Sequence, residues 1–191
     1  MRFLYLGKQD VLTSYLETFG EVVQTEEPVN EMTHGTFDFV ISYRYLHILR
    51  PNFLNVYPKK VINLHISYLP WNRGKDPNLW SWIENTVKGV TIHYMDAGLD
   101  TGPIIYQEKV ALDPEGTLAS TYQQLSIAIE ALFMKKWPEI LAEKCPCIPQ
   151  TTMGSAHKLK DRQKVAYLLH AGWETRVSQL QQPEKAKEST V

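Results

Sequence analysis

The chain has 191 residues, 43% hydrophobic and 21% charged, with 20 basic against 21 acidic side chains and a formal net charge of −1. Those values describe one soluble domain, long enough to bury a substantial core and carrying at most a short appendage. They exclude a broadly basic nucleic-acid-binding surface, and the apolar start Met1–Gly7 is too short for a signal peptide or a membrane span.

Taken in chain order, Phe3 to Leu6 reads as a buried first strand that Gly7 breaks. Val11, Leu12, Tyr15, Leu16 and Phe19 then recur at helical spacing up to a stop at Gly20. Glu21 to Gln24 and Phe37 to Ser42 read as the second and third strands. Pro51 marks a turn into a short helix, and Lys60 to His65 is a fourth strand. Strands alternating with helices predict an α/β fold with a parallel sheet. In such sheets ligands bind beyond the carboxyl ends of the strands, where Ser42 and His65 fall.

After residue 70 the pattern changes. Residues 71–77 read as a loop and Asn78 to Asn85 as a short helix. Gly89 to Met95 and Ile104 to Val110 read as strands on either side of a loop carrying Gly98 and Gly102. Thr117 is placed to cap a long helix. Its stripe of Leu118, Tyr122, Leu125, Ile129, Leu132, Phe133, Trp137, Ile140 and Leu141 is a packing face. Pro138 is expected to bend or shorten its last turns. Residues 150–176 hold a smaller element ending in Gly172-Trp173, so the domain is expected over residues 1–176. A flexible tail is expected over residues 177–191, polar from Gln181 onward. Cys145 and Cys147 flank Pro146, too close for an ordinary disulfide and too few for a zinc site. They read as reduced thiols of a cytoplasmic protein.

The chemistry concentrates at Asn63-Leu64-His65. Period-two alternation puts Asn63 and His65 on one side of their strand, roughly 7 Å apart. An amide donates to a developing oxyanion, and an imidazole moves protons near neutral pH. The loop from Asp96 to Pro103 is able to return a carboxylate, Asp100, to that ring. This set fits acyl or formyl transfer through a tetrahedral intermediate. A plainer reading has Asn63 and His65 closing a strand end and Asp100 closing a turn, and spacing alone leaves both open. His93 reads equally as a second imidazole at the site or as a hydrogen-bonded strand residue. In the 71–77 loop, Trp71 offers a stacking surface, and Arg73 and Lys75 offer cations for a phosphate or carboxylate, or simply a solvated connection. Gly7-Lys8-Gln9-Asp10 lacks GxGxxG and GxxxxGK[ST], and neither Ser42 nor Ser67 sits in a GxSxG elbow.

Three ordered blocks carry a resemblance over residues 1 to about 176: Asn63 to Pro70, Gly89 to His93, and Leu99 to Pro103. Together they resemble the signature blocks of the formyltransferases that use 10-formyltetrahydrofolate. The resemblance implies a Rossmann-like, mostly parallel sheet flanked by helices, with Asn63, His65 and Asp100 as the catalytic set. The segments 71–81, 154–158 and 172–175 are similar to the sugar-nucleotide N-formyltransferases, which formylate amino sugars of bacterial surface polysaccharide such as lipopolysaccharide. They are also similar to formylation domains of nonribosomal peptide synthetases.

By the same resemblance, Tyr45, Leu46, His47 and Leu49 line the folate pocket, with Asp96 and Gly98 on its other wall. It implies 10-formyltetrahydrofolate as cosubstrate, no metal, a nucleotide-linked amino sugar as acceptor, and possible homodimer formation, with neither nucleic acid nor membrane as partner. Trp71, Arg73 and Lys75 are the acceptor-binding candidates. The alternative acceptors are an aminoacyl group on a carrier protein and water, and a non-catalytic folate-binding module is the remaining alternative. Set beside methionyl-tRNA formyltransferases, the chain is expected to depart from their pattern at the C-terminal domain and at the N-terminal glycine-threonine-proline stretch.

Overall fold

Alternation along the strands decides which layer each side chain joins. The structure, a computed structural model, describes residues 1–30 and 36–180. In β1 (Arg2–Leu6), Phe3 and Tyr5 pack on one face and Leu4 and Leu6 on the other, all four fully buried. A strand covered on both sides belongs inside a sheet with helices above and below. β3 (Phe39–Tyr43) is likewise buried along its whole length, whereas β2 (Glu21–Thr25) is half exposed and lies at the edge.

The sheet order is β2-β1-β3-β4-β6-β7, with β4 spanning Val61–His65, β6 Gly89–Tyr94 and β7 Ile104–Lys109. β2, β1, β3 and β4 run parallel, while β6 and β7 pair antiparallel. The sheet is therefore mostly parallel and flanked by helices. The antiparallel end arises because residues 95–103 join β6 to β7 as a loop, too short for the helical crossover that parallel neighbours need.

One face carries α1 (Val11–Glu17) and α4 (Leu118–Leu141); the other carries α2 (Pro51–Val56). Asp10 caps α1, its carboxylate accepting from Leu12 N at 2.9 Å, and Thr117 caps α4 in the expected place. Trp137 is fully buried, edge-on to Phe3 and Phe39 at centroid distances of 5.4 and 5.5 Å. Pro138 falls in the last turn, and α4 runs on to Leu141. Its missing N–H would have served the Met134 carbonyl, and the Tyr15 hydroxyl donates there instead at 2.8 Å.

A third cluster packs beyond the sheet. It joins α3 (Pro77–Ile83) to the start of α4 and the C-terminal turns through Leu79, Trp80, Trp82, Leu118, Val165, Val177 and Leu180. Two expectations change here. The 71–77 loop contains a short strand, β5 (Arg73–Gly74), paired parallel with β8 (Ala156–His157). Val177 and Leu180, inside the expected tail, are completely buried, so packed chain continues through residue 180. Residues 181–191 of that tail lie outside the described residues. Among the described residues, no helix is long and apolar enough to cross a membrane.

Candidate active site

In β4, Ile62 and Leu64 face α1 and α4, and Val61 faces α2. Alternation therefore turns Asn63 and His65 to the α2 side. At the carboxyl ends of β3 and β4 that side opens into a cavity of about 870 Å³. Antiparallel pairing sets His93 of β6 directly opposite Asn63, so a second imidazole joins the same face.

The β6–β7 loop closes the arrangement. Asp100, in a left-handed conformation at φ +51°, directs its carboxylate at both rings: Oδ2 lies 3.7 Å from His65 Nδ1, and Oδ1 lies 3.5 Å from His93 Nε2. Oδ1 also accepts from Asn63 Nδ2 at 3.3 Å, and Oδ2 accepts from the Gly74 backbone N–H at 2.7 Å. His65 Nε2 lies 3.2 Å from the Asn72 carbonyl. A carbonyl only accepts, so Nε2 carries the proton and Nδ1 is the basic nitrogen, turned toward Asp100. The same reasoning protonates His93 Nδ1, which is 2.8 Å from the Tyr94 carbonyl. In the neutral ring its Nε2 receives the Asn63 amide at 3.2 Å.

Burial biases the two titrating groups. It pulls His65 below its ordinary value; Asp100 opposes this, but His93 adds to it, and the ring stays depressed. Burial alone would raise the Asp100 carboxyl. His65, His93 and the Gly74 N–H outweigh that and hold it well below the usual carboxylate range. An ionised acid therefore faces a ring that is neutral at physiological pH, as a proton acceptor with a stabilising counter-charge requires.

The expected folate-side residues Tyr45, Leu46, His47, Leu49, Asp96 and Gly98 all line the cavity. Leu46 and Ile48 are 76% and 89% exposed and form an apolar strip on the cavity wall. Asp96 Oδ1 accepts from Gly98 N and Thr101 Oγ1, which shapes the loop on the other wall. Of the three acceptor candidates, only Lys75 reaches the cavity. Arg73 instead donates both Nε and Nη2 to Gln150 Oε1, at 3.1 and 2.7 Å. Trp71 lines a separate depression with Glu84, Asn85 and Ser155. The Arg73 departure follows from β5, whose pairing with β8 sets this side chain beside the C-terminal segment.

Several residues were not singled out by spacing. The Asn72 carbonyl orients His65, and its fully buried side chain donates to Glu84 Oε2 and accepts from Thr86 Oγ1. Gln150 Nε2 donates to the Asp100 and Gly102 carbonyls, tying their loop to Arg73. The far wall is built by Asp76, Asn78, Tyr122, His157, Lys158 and Trp173. The only sequence signals were the left-handed-tolerant Asn72 before Arg-Gly and the two C-terminal segments. Among the described residues, no three His, Cys, Asp or Glu side chains are grouped to hold a metal.

This geometry has clear relatives. Methionyl-tRNA formyltransferase of Listeria monocytogenes serovar 1/2a is 35% identical over 132 residues, covering 68% of this chain and 42% of that protein. The chain thus spans about two fifths of the length of that relative. The crystal structure of the formyltransferase PseJ from Anoxybacillus kamchatkensis, in complex with UDP-4,6-dideoxy-4-formamido-L-AltNAc and tetrahydrofolate, superposes with a TM-score of 0.91. It is 47% identical and covers 94% of this chain and 97% of its own. A 4-N formyltransferase from Francisella tularensis shares the fold at 21% identity, with a TM-score of 0.73, covering 85% of this chain and 78% of its own. Residues 16–135 match the formyl transferase family, and with that match over well over half its length the chain belongs to it.

Proposed function

We propose that this protein transfers the formyl group of 10-formyltetrahydrofolate to the amine of a nucleotide-linked amino sugar. The observation that carries the reading is the meeting of Asn63, His65 and Asp100 on one cavity wall. It is supported by near-complete coverage of, and 47% identity to, a formyltransferase holding a formamido UDP-sugar with tetrahydrofolate. A UDP-linked 4-amino-4,6-dideoxy sugar is the acceptor of choice. The folate occupies the end walled by Tyr45, Leu46, His47, Leu49, Asp96 and Gly98, and the acceptor enters from the end that holds Lys75.

The chemistry follows from the site. The neutral amine attacks the formyl carbon, forming the new C–N bond and placing negative charge on the formyl oxygen. Asn63 Nδ2 donates to that oxygen, giving up its long contact to Asp100 Oδ1; one such donor contributes roughly 3 kcal/mol. His65 Nδ1 takes the proton from the attacking nitrogen, and Asp100 stabilises the resulting imidazolium. The bond from carbon to the folate nitrogen then breaks, and the proton passes to that nitrogen. The products are the formamido sugar and tetrahydrofolate.

Residues 1–180 act here as one catalytic unit, in a cytoplasmic setting that suits the free thiols Cys145 and Cys147. A homodimer through the C-terminal part, where Met153 and Tyr167 are exposed, belongs to the same proposal and is read by sedimentation. The deciding experiment offers 10-formyltetrahydrofolate with a panel of amino-sugar nucleotides and follows tetrahydrofolate release. Release that depends on a UDP-4-amino sugar supports the reading. Release without any amine, or only with an aminoacyl carrier protein, overturns it.

A further inference from the structure

Asp76 has features that neither the fold nor the proposed chemistry uses. It occupies the N-cap position of α3, where an aspartate ordinarily accepts a backbone N–H, yet its side chain makes no capping bond. Its backbone is left-handed at φ +54°, a conformation a non-glycine residue rarely adopts, and the following Pro77 restricts it further. The flanking chain is pinned on both sides. Lys75 N donates to the His157 carbonyl at 2.9 Å, and Trp80 N donates to the Asp76 carbonyl at 3.1 Å.

Three aspartates line the cavity, and the other two are satisfied. Asp96 accepts from Gly98 and Thr101, and Asp100 accepts from Asn63 and Gly74. The Asp76 side chain makes no hydrogen bond or ion pair among the described residues, and its Oδ2 is shielded from solvent without a donor. Two residues on, Asn78 repeats the pattern. It is 2% exposed, and its Nδ2 is committed to the Leu118 carbonyl and Thr121 Oγ1, both at 3.0 Å. Those partners fix the amide's orientation, and Oδ1 is left without a donor. A buried acceptor with no donor is costly, and the shortage sits where the acceptor enters.

We propose that the Asp76 carboxylate is a specificity-determining contact for the acceptor, receiving a hydrogen bond from a hydroxyl or N–H donor beside the reacting amine. Both carboxylates line one cavity; Gly74 N touches Asp100 Oδ2, and two residues of chain extend at most about 7 Å, so the two backbone positions lie within the breadth of one bound molecule. The reacting amine sits at Asp100 and His65, and the donor that Asp76 reads sits across the ring. Asn78 backs this wall and fixes α3 against α4. This assignment rests on the acceptor being an amino sugar.

The test compares wild type, Asp76→Ala and Asp76→Asn in steady-state turnover of a UDP-linked 4-amino-4,6-dideoxy sugar. Asp76→Ala is expected to raise the acceptor KM about tenfold or more, the value of a charge-assisted hydrogen bond, with the folate KM unchanged. Asp76→Asn, near-isosteric and still an acceptor, recovers part of that loss and serves where the alanine variant folds poorly. An unchanged acceptor KM in Asp76→Ala, or a parallel loss of folate and acceptor parameters in both variants, overturns the assignment. If wild type turns over only a different amine, the functional proposal fails by itself. The same KM comparison on that amine then decides Asp76.

Discussion

At the scale of single residues, the site depends on which nitrogen of His65 is basic. The Asn72 carbonyl holds Nε2–H, leaving Nδ1 to exchange protons beside an ionised Asp100. His65→Ala removes the proton acceptor without touching the folate walls. It is expected to lower kcat by about 10²–10⁴-fold while tetrahydrofolate still binds, as a fluorescence titration would read. Retained turnover would remove His65 from the mechanism. The depressed ring gives a second outcome. Followed by NMR at its Cε1 proton, His65 titrates below the ordinary imidazole value near 6.5. Asp100→Asn removes the charge that favours the imidazolium, so the midpoint moves lower still. An upward shift would show that the carboxylate does not face the ring.

At the scale of elements, β5 couples the C-terminal segment to the catalytic loop. Gly74 sits at φ +87°, and a Cβ there would lie 2.3 Å from the His157 carbonyl oxygen and 2.8 Å from Leu99 Cδ2. No side chain fits without separating β5 from β8, and the N–H held by Asp100 belongs to the same residue. Gly74→Ala is therefore expected to cost roughly 1–3 kcal/mol in urea denaturation and to reduce turnover. Gly172 is the contrast: it is also left-handed, at φ +56°, but has nothing within 4 Å of a Cβ. Gly172→Ala meets only the backbone cost, about 1 kcal/mol. Equal losses at the two glycines would deny β5 its role as a clamp.

At the scale of the whole molecule, the sheet is a platform whose two faces do different work. The α1/α4 face is a dense aromatic and aliphatic core centred on Trp137, and the α2 face opens into the cavity. Trp137→Ala is expected to destabilise the protein by about 3–5 kcal/mol, read by denaturant unfolding. Because Trp137 does not line the cavity, the variant that remains folded should keep its KM values. A large KM change would mean that the two faces are coupled.

Local periodicity was legible in the chain. The alternation in β1 and β4, the stripe of α4 and its Thr117 cap each encode a face or an end within a few residues. They suffice for an α/β fold with a parallel sheet and for placing Asn63 beside His65, whereas periodicity did not state the antiparallel β6–β7 end. Tertiary structure alone decided what distant segments bring to that strand end. The carboxylate of Asp100 arrives from 35 positions beyond His65, held by the Gly74 N–H, while Gln150 holds the same residue's backbone carbonyl. Arg73 bonds to Gln150, Trp71 lines a separate depression with Ser155, and the Asp76 side chain lines the cavity without a partner among the described residues. A strand's pattern states its own geometry. A loop has no period, so its side chains go where remote hydrogen-bond partners hold them.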